Sequence, residues 1–276
     1  MQLVPFAFRD TVCSILKEFD ELSELCEKNP DYSSWSAAIE RNNQCRLDIS
    51  LFLCLSDNGA WSYSIHGGQR VYTFDEFKRL NRRRYLQVDF IQFGGRATHQ
   101  ASRAEIQEIV KFTLRYVNLA RLSVADQNSN PELFDFLPLY RNSAFRYIRT
   151  ELYHNYIEDL LAIQLKSNFL RELSLNGEGW SRKIIPQIEE YALTKNFASI
   201  IINSEFLQFS CLFYERLKRK PVNLNSMSFM AFFPFEFEGL ETAKYGQVRW
   251  TREDGVLVKE WVGYATNQLS LHFERS

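Results

Sequence analysis

The amino-acid sequence predicts an α/β protein in which strands and helices alternate around a parallel sheet. A helix and a β-hairpin cap the N-terminal end, and antiparallel strands cap the C-terminal end. Three observations carry this reading: six short segments share one apolar spacing, amphipathic helical stripes lie between them, and a hairpin signature stands at each end. The chain has 276 residues, 45% hydrophobic and 24% charged, enough for a large core without covalent staples.

From the N-terminus, Phe8, Val12, Ile15, Leu16, Phe19, Leu22 and Leu25 recur at three- and four-residue steps, so a helix is expected over Phe6 to Glu27. Pro5 opens it and Asn29-Pro30 ends it, with a short second helix expected around Trp35 to Ile39. Leu47, Ile49, Leu51, Leu53 and Leu55 then alternate, as do Trp61, Tyr63 and Ile65, with Asp57-Asn58-Gly59 between them. This predicts a β-hairpin with a tight primed turn, because Asn-Gly accepts positive φ. A helical patch follows over Phe74 to Leu80.

The repeated segments are Tyr85–Phe90, Leu119–Val124, Phe145–Thr150, Leu170–Leu175, Phe197–Ile202 and Met227–Phe232, each with large apolar residues at positions 1 and 4 and usually 6. Their starts lie 34, 26, 25, 27 and 30 residues apart. Between them run helical stripes: Ile106, Ile109, Val110, Thr113 and Leu114; Leu133, Phe134 and Leu137; Tyr156, Ile157, Leu160 and Leu161; Ile184, Ile185, Ile188 and Tyr191; Phe206, Phe209, Phe213 and Leu217. Ser102 to Glu105 matches a capping box, and Asn130-Pro131 sets a cap before a first-turn proline.

A period near 27 with 1-4-6 spacing is that of a leucine-rich-repeat-like solenoid or arc of strand-helix units. Position 9 holds Phe93, Gln127, Tyr153, Glu178, Glu205 and Phe235 instead of the repeat's Asn or Cys, so the polar ladder is missing. A doubly wound sheet is the competing fold, but Gly67-Gly68, Gly94-Gly95 and Gly177-Glu178-Gly179 do not form its phosphate-binding fingerprint. Strands on both sides of Asp254-Gly255, then Gln268 to Glu274, form the terminal cap. Residues 1–44 read as an N-terminal helical segment, 45–84 as the hairpin and short-helix cap, 85–235 as the repeats and 236–276 as the C-terminal β cap.

Composition bounds the role. Thirty-three Lys and Arg against 34 Asp and Glu leave a net charge of -1, which argues against a nucleic-acid partner. The absence of a long apolar run argues against a membrane span, and the N-terminus lacks a secretion signal. A cytoplasmic or nuclear protein is expected. Cys13, Cys26, Cys45, Cys54 and Cys211 are odd in number and irregular in spacing, which reads as buried reduced thiols. No histidine stands at metal-ligand spacing from another His or Cys, and no cofactor is implied.

Two stretches, Val4-Pro5-Phe6-Ala7-Phe8-Arg9-Asp10-Thr11-Val12 and Leu170-Arg-Glu-Leu-Ser-Leu-Asn-Gly-Glu-Gly-Trp-Ser181, resemble recurring phrases of the F-box-associated proteins of nematodes. The resemblance implies a substrate-recruiting module of a cullin-type ubiquitin ligase. Pro5, Val12, Ile15, Leu16, Leu25, Cys26 and Trp35 would then form a degenerate F-box, docking a Skp-type adaptor through Pro5 to Trp35. The alternative is that this helix caps the first strand.

With positions 1, 4 and 6 inward, strand alternation turns positions 3, 5 and 7 to an open sheet face. These are Gln87, Asp89 and Ile91; Arg121, Ser123 and Ala125; Tyr147, Arg149 and Glu151; Glu172, Ser174 and Asn176; Ser199, Ile201 and Asn203; Phe229, Ala231 and Phe233. Arg121, Ser123, Tyr147, Arg149, Glu151, Glu172, Ser174 and Asn176 are the candidate protein-binding residues, since Tyr and Arg dominate interface hot spots. The plainer alternative is a solvated face with cross-strand salt bridges. Two further readings compete: an enzyme at the strand ends using His154, Glu178 and Glu205, and RNA binding through Lys78-Arg79-Leu80-Asn81-Arg82-Arg83-Arg84. Trp180 is expected to plug the gap between two repeats.

Overall fold

The computed structural model describes residues 6–15, 33–80, 85–125, 130–221, 226–233, 248–252, 254–263 and 268–275. Helix α1 (Phe6–Ile15) is the first part of the expected long helix, whose remainder lies outside the described residues. Helix α2 (Ser33–Cys45) extends well beyond the short helix expected there. The two form a small core of their own, with Cys13, Ala38 and Ile39 buried and Trp35 against them. Asn42 donates to Asp10 Oδ1 at 3.0 Å, and the Tyr85 hydroxyl donates to Asp10 Oδ2 at 3.1 Å. Buried Asp10 therefore ties both helices to Tyr85, which immediately precedes the strand Leu86–Phe93.

Strands β1 (Leu47–Leu55) and β2 (Trp61–Gly67) form the expected antiparallel hairpin. Its connection differs from the expected primed turn. Only Gly59 takes a positive φ, +79°, because Asn58 Oδ1 accepts from the Ala60 amide at 3.1 Å and closes a local turn. Strand β3 (Arg70–Tyr72) adds to β2, and α3 (Phe74–Lys78) starts at a full capping box between Thr73 and Glu76.

Strands β1, β4 (Leu86–Phe93), β6 (Val117–Val124), β7 (Phe145–Thr150), β8 (Glu172–Asn176), β9 (Ser199–Asn203) and β10 (Ser226–Phe232) lie side by side in chain order, all parallel. Strand β5 (His99–Ala101) pairs with β2. Strands β11 (Val248–Thr251), β12 (Val256–Gly263) and β13 (Gln268–Arg275) continue the same sheet in antiparallel fashion, with β13 against β10. The chain is thus a mixed α/β protein with one large, mostly parallel sheet. The parallel order never reverses, so the sheet has no switch point of the doubly wound kind. The N-terminal hairpin and the C-terminal antiparallel strands are part of this sheet, and one core cluster runs from Ile49 to Phe273.

Helices α4 (Arg103–Thr113), α5 (Asn155–Gln164), α6 (Ile185–Thr194) and α7 (Cys211–Lys218), with a 3₁₀ helix over Pro131–Tyr140, connect successive strands. Asn130 caps the 3₁₀ helix with Pro131 in its first turn, as expected. Ser102 accepts from the Glu105 amide at 3.1 Å, an N-cap without the expected reciprocal bond. Phe206, expected in the α7 stripe, lies ahead of that helix and is exposed.

Positions 1, 4 and 6 are inward in three central units: Phe145, Ile148 and Thr150; Leu170, Leu173 and Leu175; Phe197, Ile200 and Ile202 are all buried. Other units depart from the template. A register shift between Val88 and Phe90 turns Phe90 to the open face and Ile91 inward, and Gln87 is also buried, accepting from Arg46 Nη2 at 3.0 Å. In β6, Leu119 has φ +51° and is only half-buried, while neighbouring Ala120 takes the inward place. In β10, Met227, Phe229 and Ala231 are the inward residues, and Phe233 just beyond is buried too, which corrects the assignment of Phe229, Ala231 and Phe233 to the open face. Antiparallel pairing with β13 imposes strict alternation there, and a one-residue frame change flips every side chain.

Of the described cysteines, Cys13 is buried, but Cys45, Cys54 and Cys211 are only half-buried free thiols; Cys26 lies outside the described residues. Trp180 is buried as expected, its indole donating to the Asn176 carbonyl at 3.0 Å and its ring 5.5 Å from that of Tyr153. No helix among the described residues is long and apolar enough to cross a membrane.

Candidate functional site: the open sheet face

In the central strands every second side chain is buried in the core, and the others form the opposite face, where they are half-buried or exposed. Register sets the order of that face. Phe90, Arg121, Tyr147, Glu172 and Ser199 stand side by side on β4, β6, β7, β8 and β9. Gln92, Ser123, Arg149, Ser174 and Ile201 make the next row, and beyond it Asn203 Nδ2 donates to Asn176 Oδ1 at 2.8 Å. Seven of the eight candidate residues therefore stand in adjoining register rows, and Glu151, just beyond β7, is joined to them by its ion pair with Arg149.

The two arginines are already engaged. Arg121 meets Asp89 at 2.8 Å across the strands and lies 5.5 Å from the Phe90 ring centre, and Arg149 meets Glu151 at 2.8 Å. The cross-strand pairing anticipated in the plainer alternative is thus present at Arg121. Between the arginines, the Tyr147 hydroxyl and the Glu172 carboxylate have no hydrogen-bond or ion-pair partner among the described residues. With both arginines paired, Glu172 is a carboxylate at the centre of the face without an ion pair among the described residues.

The face continues in both directions. Phe90 packs edge-on against Phe52 of β1 at 5.6 Å, and Phe52 against His66 of β2 at 5.1 Å. The 1-4-6 template missed this aromatic wing because it sent Phe90 inward; alternation in β1, opposite to Ile49, Leu51 and Leu53, was the signal for Phe52. On the other side, half-buried Ile201 and Met230 are register neighbours. Further on, Glu274 accepts from Lys259 at 2.6 Å and lies 3.0 Å from His272 Nε2; these contacts hold its carboxyl below the usual range.

The residues suspected of catalysis follow successive strand ends without a hydrogen bond or ion pair joining them among the described residues. His154 caps α5, its Nδ1 accepting from the Tyr156 amide at 3.3 Å, and burial between Phe134 and Tyr156 lowers its pKa. Glu178 and Glu205 are exposed. In the basic run, Lys78 pairs with Asp75 at 2.8 Å and lies 4.3 Å from the Phe74 ring centre, while residues 81–84 lie outside the described residues. No group of three or more His, Cys, Asp or Glu among the described residues is arranged to hold a metal ion.

Compared with protein-family models, curated proteins and solved structures, the chain matches none.

Proposed function

We propose that this chain is a non-enzymatic protein-interaction module that binds a protein partner across the open face of a leucine-rich-repeat-like arc. The observation that carries the reading is the Tyr147–Glu172 pair. A tyrosine hydroxyl and a carboxylate lie in register without a hydrogen-bond or ion-pair partner among the described residues, between an aromatic wing and the apolar pair Ile201 and Met230. Aromatic anchors beside an unfilled polar pair are the composition of an interface centre, and repeat sheets commonly bind through such faces. The already paired arginines contribute orientation more than affinity, since an exposed ion pair is worth about 1 kcal/mol or less.

The resemblance to F-box-associated proteins gives this proposal a specific form: a substrate receptor of a cullin-type ubiquitin ligase, with the N-terminal segment docking a Skp-type adaptor. What supports it is the separate small core of α1 and α2, with Phe8 56% exposed on α1. The test is co-purification of the full chain and two variants. Tyr147→Ala combined with Glu172→Lys should lower capture of the sheet-face partner at least roughly tenfold while leaving the circular dichroism spectrum unchanged. Phe8→Asp should remove only the adaptor. Undiminished capture by the first variant would refute the face assignment, and undiminished adaptor capture by the second would refute the docking segment.

A further inference from the structure

The helical layer carries a second surface that the sheet does not use. On α5, Tyr156, Leu160 and Ile163 recur at i, i+4 and i+7 and so share a stripe. Leu160 is buried, yet Tyr156 is 38% and Ile163 36% exposed, and Leu139 of the neighbouring 3₁₀ helix is 38% exposed. Pro138, Arg141, Tyr156, Asp159, Leu160 and Ile163 line a groove of about 380 Å³ between these two helices. The apolar sector of α5 is therefore wider than its contact with the sheet requires.

The charges at this groove indicate what covers it. Arg141 and Asp159 are both exposed, and neither side chain makes an ion pair or hydrogen bond among the described residues. A polyanion or a membrane surface would favour one sign of charge. A groove with one unpaired charge of each sign beside an apolar stripe is instead self-complementary. Where a two-fold interface sets Arg141 of one copy against Asp159 of the other, symmetry makes the pair twice while the stripes cover each other.

We propose that this groove is the interface of a symmetric dimer, with a second copy of this chain as its occupant. The interface lies on the helical side, so both open sheet faces stay accessible and the dimer presents two equivalent binding surfaces, a gain in avidity without new contacts. The inference does not depend on what the sheet face binds.

Sedimentation of the full chain across the micromolar range tests it. The mass should double with rising concentration. Arg141→Glu alone and Asp159→Arg alone should each weaken association roughly tenfold or more by setting like charges opposite one another, and the combined exchange should restore it. Recovery in the double variant also shows that the single variants failed at the interface and not in folding. Monomeric mass throughout, dimers that persist in both single variants, or a folded double variant that stays monomeric would each overturn the proposal.

Discussion

Gly177 and Gly59 both have left-handed backbones, φ +84° and +79°, but their surroundings differ. A methyl group at Gly59 would meet nothing within 4 Å, whereas at Gly177 it would lie 2.8 Å from the Glu151 carbonyl oxygen. Gly59→Ala should therefore cost only the conformational penalty, about 1 kcal/mol. Gly177→Ala adds a backbone collision with the segment that follows β7 and should cost about 3 kcal/mol, a difference that urea denaturation of the two variants would measure. Chemistry at the open face also depends on single partners. Arg121 and Arg149 were legible in the sequence as surface residues, but their neutralisation was only partly so: Glu151 is two residues from Arg149, while Asp89 is brought to Arg121 from another strand by sheet register.

At the scale of the element, most strands and helices were legible because hydrophobic period and cap chemistry agree, as at Asn130-Pro131 and along Phe145–Thr150. Strand β10 was misframed because Met227-Ser-Phe-Met-Ala-Phe232 satisfies both a 1-4-6 pattern and plain alternation, and only its partner strand distinguishes them. The two frames predict opposite mutational effects. Phe229 pairs with Ile200 and packs 5.6 Å from Phe209 and 5.4 Å from Phe213, so Phe229→Ala should cost about 3–5 kcal/mol. Met230, half-buried on the open face, should cost about 1 kcal/mol or less when changed to Ala. Denaturation midpoints of the two variants would decide the frame, and equal losses would contradict the register described here.

At the scale of the whole molecule, buried titratable groups set a pH profile. Burial brings the Lys220 ammonium down to about 8, where it donates to the Ala192 carbonyl at 2.6 Å and to the Lys195 carbonyl. Between that pH and the ordinary lysine value, the unfolded chain binds a proton that the folded chain does not, so this group makes stability rise with pH. Tyr140, Tyr191 and Tyr214 act in the opposite sense. Burial raises all three above the ordinary value of 10.0, and Glu260, which accepts from the Tyr214 hydroxyl, raises that residue further. Above pH 10 the unfolded chain releases protons that the folded chain keeps, and stability should fall by about 1.4 kcal/mol per pH unit for each tyrosine. Equilibrium unfolding from pH 7 to 11 should therefore show a maximum near pH 10 and a steep alkaline loss. A flat profile above pH 10 would mean that these hydroxyls ionise in the folded protein.

The sequence by itself determined the alternation of strand and helix, the inward residues of the central units and both terminal β elements. These follow from local periodicity, turn chemistry and caps, which need only nearby residues. Tertiary structure alone decided that β1 joins the parallel sheet beside β4, that Phe52 and Phe90 extend the open face, and that Asp89 pairs with Arg121 while Tyr147 and Glu172 have no partner among the described residues. It also decided that Arg141 and Asp159 share one groove. Each of these depends on which distant segments become neighbours, and register and packing, not composition, select those neighbours.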